Sequence, residues 1–229
     1  MRLDKFIGST TDLSRKAIHA CIKAGQVMLN GQRATSAAQS VTPEDRVQLN
    51  GELLALTGPR YFMLHKPAGY LSATTDSQHP TALDLIQEPR KHLLQIAGRL
   101  DLDTTGLLLL TDDGQWNHRI TSPRHECIKI YRLTTAEPLR DEYIETFAKG
   151  VLLHGEKKPT LPARLELLGE KEARLHIQEG KYHQVKRMLA AVGNRVTSLH
   201  REAIGRIQLD PQLKPGEYRA LTREEIHHV

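Results

Sequence analysis

In the stretch Ile96–Gly114, IAGRLDLDTTGLLLLTDDG, two carboxylates, Asp101 and Asp103, follow Arg99 in a tight loop and lead at once into four leucines. Three chemistries compete for such a pair. As metal ligands the two lack companions, since no histidine or third carboxylate lies at useful spacing and magnesium sites usually borrow substrate phosphates. As a glycosidase pair they sit too close, because residues i and i+2 of an extended segment share a face and cannot flank one bond from both sides. The third chemistry uses one carboxylate as a nucleophile or base held by a cation. Arg99 could be that cation or could grip substrate. For Asp103, which precedes Thr-Thr-Gly, a turn-capping role is the favoured reading. For Asp101 the structural and the chemical readings stand level.

A reacting loop needs a rigid seat. Leu107–Leu110 reads as a buried strand directly behind it. RYFMLHK, GYLSATT, KIYRLTTA, ARLELLG and EARLHIQEG are further strand candidates, bounded by turn residues. LRDEYIETFAKG and KYHQVKRMLAAVG read as helices. In the second of these Val185, Met188, Leu189 and Val192 form an i, i+3, i+4, i+7 stripe. Strands often follow strands here, which predicts an α+β domain with a mainly antiparallel sheet from residue 59 to residue 229.

A turn-prone Thr-Gly-Pro within LALTGPR separates this region from a smaller one, predicted to span residues 1–58. There LSRKAIHACIKAG reads as a helix with Ser14 as N-cap and Gly25 as its stop. Leu13, Ala17, Ile18, Cys21 and Ile22 share one face, and Arg15, Lys16, His19 and Lys23 lie largely on the other. QVMLNGQRATS reads as a hairpin turning at Asn30-Gly31, and DRVQLNG as another short strand. From Met1 to Arg33 six basic residues (Arg2, Lys5, Arg15, Lys16, Lys23 and Arg33) face only Asp4 and Asp12, a local balance of +4. The plain reading is a solvated helix face. The clustering favours a module that grips a phosphate backbone.

Composition agrees with a polyanionic partner: the net charge is +5 over 229 residues. A hydrophobic content of 39 % supports a real core. No apolar run approaches the roughly 20 residues that span a bilayer. The opening MRLDKFIGST lacks the apolar centre of a signal peptide. Cys21 and Cys127 form no CxxC or zinc pattern, and a reducing cytoplasm is the expected setting. No GxGxxG follows a strand and no Walker A motif occurs, so no cofactor is expected.

GRLDLDTTGLLLLTDDG closely resembles the signature loop of pseudouridine synthases of the RsuA/RluA type. KIYRL resembles their second motif and EGKYHQVKRMLAAVGNRV their third. The N-terminal region resembles the small RNA-binding module first described in ribosomal protein S-four, a pairing typical of one branch of that family. The resemblance covers essentially the whole chain. It implies a small α/β RNA-binding module followed by a mainly antiparallel catalytic domain. Asp101 is then the essential catalytic residue, Tyr131 lines the site, and Lys186, where related subfamilies have arginine, pairs with Asp101. Arg99 fills the place vacated by a flipped uridine or holds its phosphate. One departure is His65, where relatives commonly show asparagine before Lys-Pro.

The implied reaction breaks the ribose C1′–uracil N1 bond and rejoins C1′ to C5, with no redox step. A carboxylate near C1′ could add covalently, stabilise oxocarbenium character, or take the 2′ proton to give a glycal, the route family experience favours. The implied substrate is 16S rRNA or a small-subunit assembly intermediate, with the uridine at position 516 as target and the protein acting as a monomer. Two rivals remain. A non-catalytic rRNA-binding factor would need the basic module but not Asp101, Tyr131 and Lys186 together. A sister synthase acting on 23S rRNA or tRNA would share the motifs.

Overall fold

The structure, a computed structural model, describes residues 1–55, 58–122 and 127–227. Leu56 and Thr57, at the expected boundary, lie outside the described residues. The chain divides into two compact units. The first comprises Met1–Pro59 with Gln87–Leu93, and the second Arg60–Ile86 with Leu94–Val229.

The first unit opens with helices α1, Leu3–Thr10, and α2, Arg15–Ala24. Ser14 caps α2 by accepting from the Ala17 N–H, and Gly25 ends it in the left-handed region. Strands β1 (Val27–Leu29), β2 (Gln32–Arg33), β3 (Val47–Leu49) and β4 (Glu52–Leu54) follow in the antiparallel order β2-β1-β3-β4. Asn30-Gly31 makes the predicted hairpin with positive φ at both positions. Leu3, Phe6, Ile7, Ile18, Ile22 and Val27 fill its core. Helix α1 is not evident from the sequence. Its apolar set is only Leu3, Phe6 and Ile7, one turn long, and Arg2 at its N-cap makes no side-chain cap, so the pattern is too short to mark a helix.

The second unit is built on one mixed sheet. Among the described residues its strands are β5 (Tyr61–Lys66), β6 (Gln95–Ala97), β7 (Thr105–Thr111), β8 (Lys129–Thr135), β9 (Arg164–Leu167), β10 (Glu172–Ile177), β11 (Val196–Ile204), β12 (Ile207–Gln208) and β13 (Tyr218–Ala220). The order is β13-β5-β7-β11-β8-β10-β9, with β12 beside β11 and β6 beside β7. The β7–β11 pairing is parallel and the others are antiparallel. Helices α3 (Gly114–Thr121), α4 (Glu142–Lys149) and α5 (Gln184–Ala191) cover the sheet, and α6 (Arg223–His227) closes the described chain.

Strand β7 is buried on both faces. Leu108 and Leu110 enter the core shared with Phe147 of α4 and Met188 of α5, whereas Leu107 and Leu109 enter the core under Trp116 and Ile120 of α3. This is why the leucine run is unbroken rather than alternating. At Gly106, φ is +106° and an added Cβ would stand 2.3 Å from the Arg201 carbonyl oxygen. Only glycine lets β11 approach so closely.

One expected strand is absent. GYLSATT forms a bend with a single bridge, Leu71 to Thr81. Its polar groups are used on the carboxylate loop instead: the Gly69 N–H donates to the Leu102 carbonyl at 2.8 Å, and the Ser72 hydroxyl accepts from the Leu100 N–H at 3.0 Å.

Candidate active site

The segment 98–104 between β6 and β7 is held at its carbonyls by two buried cations. Arg201, on β11 and fully buried, donates from Nη2 to the Gly98 carbonyl at 2.7 Å, from Nη1 to the Arg99 carbonyl at 3.4 Å, and from Nε to the Leu107 carbonyl at 2.8 Å. Lys66, at the end of β5 and equally buried, donates from Nζ to the carbonyls of Pro67, Leu102 and Thr104 at 3.0, 3.3 and 2.8 Å. The loop is thus gripped before and after Asp101, and a buried charge is matched by oriented carbonyl dipoles. Burial pushes the Lys66 ammonium down to about 8, a fall opposed by the Asp103 and Asp101 charges and reinforced by Arg201.

The side chain of Asp101 has a nitrogen partner at each oxygen. Lys186 Nζ stands 3.2 Å from Oδ2, and His183 Nε2 stands 3.4 Å from Oδ1. Lys186 also donates to Asp103 Oδ1 at 2.6 Å. Burial by itself would lower the Lys186 ammonium, but its bonds to Asp103 and Asp101 outweigh this and raise it. The same bond to Lys186 holds the Asp103 carboxyl below its ordinary range, against the opposing effect of burial. The flanking Val185 and Leu189 are buried, so α5 fixes the stem of Lys186 while its head reaches the loop.

Two expectations for this loop need correction. The sequence favours a turn cap at Asp103, but its carboxylate binds Lys186, 83 residues further along the chain. Arg99 is, by sequence, one candidate for the cation that holds Asp101, the other reading being a grip on substrate; its side chain is exposed, and the cation beside Asp101 is Lys186.

The cleft over Asp101, about 70 Å³, is lined by Arg99, Tyr131, Lys181 and His183 among others. Tyr131 projects from β8, is 7 % exposed, and its hydroxyl accepts from Arg201 Nη1 at 3.3 Å. The Arg201 guanidinium carbon also lies 5.8 Å from the ring centre. Asp101, Tyr131 and Arg99 are therefore gathered at one cleft from β8 and the loop, and Lys186 of α5 is joined to it through Asp101. His65 is not among them. It lines a different cavity with His176 and His200, and its Nδ1 is 2.8 Å from the Leu213 carbonyl oxygen.

Lys66, His183 and Arg201 escape a reading of the sequence. The Lys-Pro step offers a weak signal for Lys66. His183 occupies the N-cap of α5 without capping it, with φ +48°. The Gln184 side-chain oxygen accepts from the Lys181 N–H at 2.9 Å, which ties the turn before α5 to its first residue.

In the first unit Arg2, Lys5, Arg15, Lys16, Lys23 and Arg33 are all exposed. They are not all free. Arg2 makes a two-pronged bond to Asp4 at 3.0 and 2.9 Å, and Arg15 and His19 approach the same carboxylate at 3.5 and 3.6 Å. The bond from Arg2 holds Asp4 far below the usual carboxylate range. Arg33 donates to the Lys23 carbonyl at 3.2 Å. The acid at the foot of α1 thus gathers part of the basic face. Gln87–Leu93 brings Arg90 to the Ser9 carbonyl and His92 within 3.9 Å of Asp12.

Comparison with known proteins adds the following. The RNA pseudouridylate synthase family matches residues 60–191, and the S4 domain matches residues 1–47. Proteins called ribosomal small subunit pseudouridine synthase A are 54 % identical in Escherichia coli strain K12, over 230 residues covering 100 % of both chains, and 50 % identical in Vibrio cholerae, covering 100 % of this chain and 99 % of that one. The Yersinia pestis protein of the same name is 53 % identical, covering 100 % of this chain and 98 % of its own. A crystal structure described as a pseudouridylate synthase is 47 % identical and superposes with a TM-score of 0.73, covering 100 % of this chain and 99 % of that one.

Proposed function

The chain belongs to the RNA pseudouridylate synthase family, and on that premise we propose which groups carry its isomerisation of uridine to pseudouridine. Asp101 is the carboxylate that acts at the ribose. Lys186 is its counter-charge, and Tyr131 offers its ring and hydroxyl to the uracil. The observation that carries this reading is the Lys186–Asp101 pair, 3.2 Å apart, with Asp101 lining the same cleft as Tyr131.

The chemistry suits these groups. Cleavage of the C1′–N1 bond leaves an electron-poor sugar, which an ionised carboxylate stabilises, attacks, or relieves of its 2′ proton. An ammonium on one oxygen and an imidazole on the other hold the carboxylate in position. The Tyr131 hydroxyl, steadied by Arg201, lies within the cleft to serve at C5, where a proton is lost as the new bond forms. The target base must leave its stack to enter. Arg99, exposed at the rim, is suited to the vacated place or to the displaced phosphate.

The substrate is the RNA of the small ribosomal subunit that its relatives' names specify. The uridine at position 516, either in free 16S rRNA or in an assembly intermediate, is the proposed target. Residues 1–58 are proposed to supply affinity and residues 59–229 chemistry. The protein is proposed to act as a monomer. No helix among the described residues is long and apolar enough to cross a membrane, and both cysteines are unpaired, in keeping with a cytoplasmic setting.

The test is Asp101→Asn, nearly isosteric but unable to act as nucleophile or base. Tritium release from 5-tritiated uridine in transcribed 16S rRNA should fall to background while RNA binding survives. Substantial turnover by the variant would overturn the assignment.

A further inference from the structure

Tyr182 stands between two residues that line the catalytic cleft, Lys181 and His183, yet it is 77 % exposed. A large aromatic ring left in water forgoes the burial that most tyrosines gain. It is nevertheless well held. It lies flat on the His183 imidazole, with ring centres 3.8 Å apart and planes 22° apart. Its carbonyl accepts from Arg187 Nη1 at 3.0 Å. His183 beneath it sits at φ +48°, a left-handed conformation that a non-glycine residue keeps only where its surroundings enforce it. The enforcing contacts include the approach to Asp101 at 3.4 Å. One face of the Tyr182 ring is therefore covered by an imidazole bound to the catalytic loop, and the other is offered to solvent at the cleft rim. Two cations stand close by in sequence, Lys181, which lines the cleft, and Arg187, and both pair with Glu156, at 3.2 and 3.3 Å.

We propose that Tyr182 is a stacking subsite for a nucleobase of the RNA next to the target uridine, with Lys181 and Arg187 placed for the adjoining phosphates. The proposal rests on the reading of the chain as an RNA pseudouridine synthase. Flipping the target out of its stack leaves a neighbouring base with one bare face. A preformed, outward-facing aromatic supplies the missing partner, as single-stranded RNA sites commonly do. The column of base, Tyr182 and His183 would then run directly to Asp101, so that seating the neighbour also seats the reacting sugar.

The experiment uses the full chain and a transcribed 16S rRNA fragment in which nucleotides flanking the target are replaced, one at a time, by abasic sites. On intact RNA, Tyr182→Ala should bind roughly thirty-fold more weakly than the wild type, the mid-range loss for removing one base–aromatic stack. Tyr182→Trp and Tyr182→Phe should restore affinity and Tyr182→Leu should not. On the RNA lacking the stacked base, wild type and Tyr182→Ala should bind alike. Equal affinity on intact RNA, rescue by leucine as good as rescue by tryptophan, or a loss that is the same at every abasic position would each overturn the subsite. Pseudouridine formation by the wild type on the intact fragment separates the two levels. Its failure would sink the functional reading itself, whereas normal turnover with unchanged Tyr182→Ala affinity would sink only the subsite.

Discussion

Lys186 Nζ lies 2.6 Å from Asp103, closer than the 3.2 Å that separates it from Asp101. The counter-charge of the proposed catalytic carboxylate is thus shared with a more exposed neighbour. Asp103→Asn removes one of the two acceptors that hold the Lys186 ammonium above its ordinary range. Losing a partner of the charged form lowers a basic group's pKa, so Lys186 should titrate at lower pH in the variant. NMR of lysine labelled at Cε would read this. Turnover should fall far less than in Asp101→Asn. An unchanged Lys186 titration would show that Asp101 alone sets it.

Lys186→Met keeps much of the stem and removes the charge. Turnover should fall, because the carboxylate loses the ammonium 3.2 Å from its Oδ2. Lys186→Arg should keep part of the rate. A wild-type rate in the methionine variant would transfer the role to His183, 3.4 Å from the other oxygen.

Burial lowers Lys66 from 10.5 to about 8, so between those values the unfolded chain binds the proton more readily than the folded one. Stability conferred by this site therefore rises with pH across that window and is lowest below it. Urea unfolding of the wild type against Lys66→Met, from pH 7 to 10, should show the difference changing in that direction. A difference independent of pH would mean that Lys66 titrates normally.

Arg201→Met strips donors from the carbonyls of Gly98, Arg99 and Leu107. Buried acceptors left unpaired cost about 1–3 kcal/mol each, and a total loss of roughly 3 kcal/mol or more is expected from denaturant melts. Arg201→Lys should be intermediate in stability, since it keeps the charge and loses the fork. Full stability in the methionine variant would show that the carbonyls find other partners.

Arg15→Ala, Lys16→Ala and Lys23→Ala combined should weaken 16S rRNA binding and flatten its salt dependence, by a little under one unit of slope for each phosphate no longer neutralised. Affinity measured across a salt series reads both. If neither changes, the basic face of α2 is only solvated surface.

Much of this architecture is legible in the residues, and the exceptions share a cause. Ser14, Gly25 and Asn30-Gly31 act through the local backbone, so the helix and hairpin they bound can be read directly. The strands β5, β7, β8, β9 and β10 announce themselves by apolar content. Strand β11 does not. Its inward positions run Leu199, Arg201, Ala203, and an arginine at the centre breaks the alternation that marks a half-buried strand. The same residue thus conceals both the strand and its own place under the carboxylate loop. GYLSATT fails in the opposite sense: it has a strand's composition, but Gly69 and Ser72 bond the loop rather than a ladder. No local pattern reports a partner some thirty residues away.

The pairing of β7 with β11 has a consequence for the protein's own synthesis. The loop that carries Asp101 leaves the ribosome about a hundred residues before Arg201, the group that fixes its carbonyls, and β13, which completes the edge beside β5, comes later still. Pairings so distant in sequence form slowly, because a long loop must close before they repay its entropy. A chain arrested before Val196 would hold the proposed catalytic carboxylate without its frame. The site therefore gains its frame only once β11 has been made, whereas the basic module proposed to grip ribosomal RNA is complete well before it.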